Sequence, residues 1–101
     1  MITFRFPEER QYMELLSKEL NHTLAKQVLE GRDITSPQEA IEISEFFWAA
    51  VDQSIILEKT NNLNQFPEGA EYWNEKIMTS IAGYLERTGY EDQWDLVLDK
   101  Q

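Results

Sequence analysis

Few residues in this chain have the type and spacing to do chemistry. The one histidine, His22, follows Glu19 as Glu-x-x-His. Carboxylate-bridged di-iron bundles use that spacing, but they need two such motifs and two further inward glutamates. With a single His, the chain cannot complete such a site alone. On a continuous helix, His22 and Glu19 would also lie off the apolar stripe, so a solvated surface histidine is the expectation. No Cys is present, which removes thiolate ligands and disulfides. No Gly-x-Ser-x-Gly elbow accompanies His22, and the glycines at 31, 69, 83 and 89 are too scattered to form a phosphate loop.

The carboxylates are the better candidates. Glu39, Glu42 and Glu45 are spaced three apart, and Glu68, Glu71 and Glu75 repeat the pattern further on. Carboxylates three or four apart share a helical face. Two such sets on adjacent helices can hold Mg²⁺, a hard ion that prefers oxygen. The spacing resembles that of the all-helical nucleotide pyrophosphatases. Their fuller pattern, Glu-Glu-x-x-Glu followed by Glu-x-x-Asp, is absent, and no Lys or Arg sits among these acids to hold phosphates. A magnesium-dependent nucleotide hydrolase is therefore an alternative reading; the chain is expected not to be an enzyme and to need no cofactor.

The same acids read more naturally as surface. Nineteen acids against nine bases give a net charge of −10. That balance disfavours direct nucleic-acid binding, which needs clustered Lys and Arg. It also disfavours anionic membranes. The acids gather into stripes: Glu42, Glu45 and Asp52; then Glu68, Glu71 and Glu75 with Glu86; then Glu91, Asp92, Asp95 and Asp99 if the tail is helical. Like charges at i,i+4 cost a helix ~0.2–0.5 kcal/mol per pair. A basic partner would relieve that repulsion and be steered in by it. Trp48 joins the candidate contact residues, because Phe46, Phe47 and Trp48 are consecutive and fan over about 200° of a helix. One core face cannot take all three, and aromatics are enriched at interface hot spots.

The elements that must position these residues are helical. Ile2 to Phe6 alternates as a short extended arm. Pro7 with Glu8 and Glu9 suits a helix start, and Tyr12, Met13, Leu16, Leu20, Leu24 and Val28 share a face, so the first helix is expected over Pro7–Glu30. Ser36-Pro37-Gln38-Glu39 is a capping signature that opens a second helix to about Lys59. Its apolar residues, from Ala40 and Ile43 through Phe47 and Val51 to Ile55 and Leu57, cover an arc of roughly 220°, wider than a surface helix needs, so it should be the central helix, contacted on several sides. After the Asn-rich stretch 60–67, a third helix from Pro67 or Glu68 to before Gly89 buries Trp73, Ile77, Ile81, Tyr84 and Leu85. Residues 90–101 fit a short helix or a strand pairing with the arm.

The expected fold is thus all-α: one domain over 1–101, a compact antiparallel bundle of three long helices with a short N-terminal arm and a short C-terminal helix or strand. No apolar run approaches the ~20 residues that span a bilayer, and the first residues lack a signal peptide's basic start and apolar run. A cytoplasmic protein fits both. The expected function is a small acidic protein-interaction module; in its sharper form it is an inhibitor or decoy for a basic, nucleic-acid-binding protein. Partner contacts are expected at Glu42, Glu45, Asp52, Glu68, Glu71, Glu75 and Trp48. A homodimeric structural protein is a further alternative.

Overall fold

A computed structural model describes residues 1–99, which form five helices and no strand. Helix α1 spans Pro7–Glu19, α2 Thr23–Leu29, α3 Pro37–Lys59, α4 Ala70–Thr88 and α5 Glu91–Asp99. The all-α expectation holds. Lys100 and Gln101, the last residues assigned to the tail, lie outside the described residues. Over Glu91–Asp99 the tail is a helix, so the strand alternative falls. Residues 1–6 carry no regular structure, and Ile2 inserts into the core.

The expected first helix is two helices. The chain breaks at Leu20, Asn21 and His22, where Asn21 takes a left-handed conformation (φ 51°). Asn is one of the few residues that enters that region at low cost. His22 then opens α2: its Nδ1 accepts the Ala25 backbone N–H at 3.1 Å. The apolar stripe continues across the break, because Leu16, Leu24, Ala25 and Val28 all reach the same core.

The other boundaries follow local chemistry. Ser36 Oγ accepts the Glu39 N–H at 3.2 Å and starts α3. The Glu39 carboxylate reaches back to the Thr35 N–H at 2.8 Å and pairs with Arg32 at 2.6 Å. Those bonds hold its carboxyl below the usual range, Arg32 first and Thr35 next. Gly89, left-handed at φ 86°, closes α4.

Helix α3 is central, packing against each of the other four. Helix α4 runs antiparallel beside it: Glu58 meets Ala70, and four residues back Ser54 meets Asn74. Tyr12 of α1 packs against Phe66 and Trp73, and Trp94 of α5 packs against Phe47. The radius of gyration, 12.8 Å, matches the ~13 Å of a compact body of about 100 residues. No described helix is long and apolar enough to cross a membrane.

Candidate functional site

The α3–α4 pair is sealed on one side and open on another. On the sealed side, the Tyr12 hydroxyl donates to Asn74 Oδ1 at 2.7 Å. Asn74 Nδ2 donates to Ser54 Oγ at 2.9 Å, and Ser54 donates to the Val51 carbonyl at 2.7 Å. This buried relay ties α1, α4 and α3 together with its polar groups paired. Burial pushes the Tyr12 phenol up to about 12, so it stays a neutral donor. Nearby, the buried Glu9 accepts the Arg5 backbone N–H at 2.9 Å and the Ser80 hydroxyl at 3.3 Å.

The open side is a groove of about 450 Å³ between α3 and α4. Phe47, Trp48, Val51 and Ile55 line it from α3, and Ala70, Asn74 and Met78 from α4. Ile55 is 41% exposed, although the helical wheel assigned it to the buried arc. The extra width of that arc is therefore groove rather than core. Phe46 and Phe47 are buried, as core residues should be, while Trp48 is half-buried at the groove wall. The Trp48 ring meets Phe47 edge-on at 5.2 Å, and its indole N–H is buried without a hydrogen-bond partner among the described residues. A buried unpaired N–H costs about 1–3 kcal/mol.

Three exposed glutamates rim this apolar floor: Glu58, Glu71 and Glu75. No Lys or Arg is among the described residues that line it. Glu58 also has a structural duty. Gly69 precedes α4 and has no side chain to cap it, and Glu58 Oε2 accepts the Ala70 N–H at 2.8 Å instead. That carboxylate stabilises the positive end of α4 as a side-chain cap does.

The seven expected contact residues do not converge on one surface. Trp48, Glu71 and Glu75 meet at the groove. Glu42 and Glu45 instead flank a shallow depression with His22, Phe46 and Ala49. Asp52 is exposed on α3, and Glu68 accepts the Trp73 indole N–H at 3.0 Å. Glu58 was not anticipated. The signal that could have found it is Gly69, a helix start with no capping side chain of its own.

His22 is also not the solvated residue expected. Its ring lies 5.0 Å from Phe46 and is half-buried. Burial lowers its pKa below the ordinary 6.5, and Glu42 opposes that shift. Accepting the Ala25 N–H requires an unprotonated Nδ1.

As for metal chemistry, no three His, Cys, Asp or Glu side chains among the described residues come close enough to hold an ion. Glu39, one of the paired glutamates, is engaged by Arg32 and Thr35. Comparison with protein-family models, curated proteins and solved structures finds no match.

Proposed function

We propose that this chain is a small protein-interaction module that binds a basic protein through the α3–α4 groove. The observation that carries the reading is the pairing of an exposed apolar floor with a rim of one sign. Val51, Ile55 and Met78 supply apolar area whose burial is worth ~25 cal/mol per Å². Glu58, Glu71 and Glu75 supply the charge that steers a cationic partner and rejects an anionic one. The anchor is Trp48, a residue type enriched in hot spots, set at the wall of the groove rather than in the core. An inhibitor or decoy of a nucleic-acid-binding protein is one form of this module; the reading concerns the binding surface itself.

Affinity capture from native cells with three baits tests it. The wild-type chain should retain a basic protein. A Glu42→Lys/Glu45→Lys bait should retain it too, because those residues lie at the other depression. A Glu71→Lys/Glu75→Lys bait should lose it. Equal capture by all three baits, or loss only on the Glu42/Glu45 side, removes the groove from the function.

A further inference from the structure

We propose that the groove's occupant is one amphipathic helix of the partner, with aliphatic anchors on one face and Lys or Arg gathered at one end. This rests on the groove being the binding surface, and it adds the shape and polarity of what binds.

Length comes first. The lining runs from Phe47 to Glu58 on α3 and from Ala70 to Met78 on α4. At 1.5 Å per residue these walls are about 16 Å and about 12 Å long. An occupant of two to three helical turns matches that span and presents side chains at i, i+3 or i+4, and i+7.

Backbone chemistry then separates a helix from an extended segment. Both walls are helices, whose N–H and C=O groups are bonded within themselves, so the groove offers no sheet edge. A strand laid on this floor would bring its own backbone polar groups onto apolar surface without partners. A helix satisfies them internally.

Charge gives the occupant an orientation. The antiparallel register places Glu58 beside the start of α4, where Glu71 also lies. Glu75 stands one turn further along α4. The opposite end, with Phe47, Trp48 and Met78, carries no charged residue among the described residues of its lining. The occupant's bases therefore belong at the Glu58–Glu71 end and its apolar anchors toward Trp48 and Met78. A second copy of this chain fits poorly. Its groove has no base among the described lining residues to meet Glu58, Glu71 and Glu75, and the two bodies would each carry a net charge of −10.

The test uses synthetic peptides and the full chain, read by amide and indole N–H chemical shifts. The probe is an Ala-rich peptide of about 14 residues, near the length at which an isolated helix persists. It carries Leu at i, i+3 and i+7 and Lys confined to one end. Shifts should concentrate on residues 47–58 and 70–78 and include the Trp48 indole. A scrambled peptide of the same composition should bind roughly tenfold more weakly or worse, a loss of about 1.4 kcal/mol. The exposed-site variant Glu71→Lys/Glu75→Lys, checked for helicity by circular dichroism, should lose the Lys peptide and gain one with Glu in its place. Equal binding of the scrambled peptide, shifts mapping elsewhere, or indifference to the charge reversal would each overturn the proposal. So would concentration-dependent dimerisation that buries these residues. If no peptide binds while the native partner is still lost on Glu71→Lys/Glu75→Lys, the groove reading stands and the helical occupant falls.

Discussion

Helices α3 and α4 meet two different surroundings. Beneath Tyr12, the hydroxyl, amide and serine groups form a closed relay with α1. Across the same pair, the groove leaves Ile55 partly in water and the Trp48 indole N–H unpaired among the described residues. Asn74 belongs to both regions, since it lines the groove and holds the relay. One side is organised as an interior is, with the Tyr12, Asn74 and Ser54 side chains bonded to one another; the other keeps apolar area and a donor unmatched among the described residues at its wall. That contrast separates residues that hold the fold from residues that the fold leaves uncommitted, and it can be tested by mutation.

The largest effect belongs to the sealed side. Asn74→Ala removes the acceptor of the Tyr12 hydroxyl and the donor to Ser54, inside a packed site. The expected loss is about 2–4 kcal/mol, read as a fall in the urea midpoint. Ile55→Ala, across the groove, should cost no more than about 1 kcal/mol, because much of that side chain is already solvated. Similar losses for the two would erase the distinction between the regions.

Glu58 comes next, at the seam. Glu58→Ala leaves the Ala70 N–H at the start of α4 without its acceptor and should cost about 1 kcal/mol, as loss of an N-cap does. Glu71→Ala, exposed and without such a bond, should leave stability within about 0.5 kcal/mol. Both variants should weaken binding of the proposed basic partner. Equal stability of the two would mean that the Glu58 bond to Ala70 adds nothing.

A pH series tests whether the His22 junction resembles the sealed side. Its folded pKa lies below the ordinary 6.5. Above 6.5 both folded and unfolded chains hold a neutral ring, and no stability is lost. As pH falls through 6.5 the unfolded chain takes up a proton that the folded one resists, so stability declines. His22→Ser keeps a capping oxygen that does not titrate. Between about pH 7.5 and pH 5 the wild type should lose stability and the variant should not. Glu39 and Asp33, both depressed in the folded state from ordinary values of 4.5 and 3.8, add their losses at lower pH. A wild-type urea midpoint that is flat over the upper window would mean that the cap does not depend on the neutral ring.

Much of this was legible in the residues. The Ser36-Pro37 start, the Gly89 stop and the buried stripe Trp73, Ile77, Ile81, Tyr84 and Leu85 all follow from local rules, and the structure carries them. The break at Asn21 was hidden because the apolar four-residue step runs straight through it: α2 turns but still faces the same core. The groove was half visible. Trp48 stood out as one aromatic too many for a single core face, and Glu71 and Glu75 as an acidic pair. Their convergence with Glu58 depends on how α4 registers against α3, and no local pattern encodes that. Ile55 was misassigned for the same reason, because a wheel cannot separate core from an uncovered groove.

The smallest expected effect is also the most discriminating. Trp48→Phe keeps an aromatic ring against Phe47 but deletes the unpaired indole N–H. The smaller ring loses some packing, while removing a buried orphan donor relieves a cost of about 1–3 kcal/mol. The two effects oppose each other, so stability should change by no more than about 0.5 kcal/mol. A loss above about 2 kcal/mol would mean that the N–H is paired and that this wall is organised like the Tyr12 side. A near-silent change in stability, together with weaker binding of the proposed basic partner, would place Trp48 among the residues that serve the groove rather than the fold.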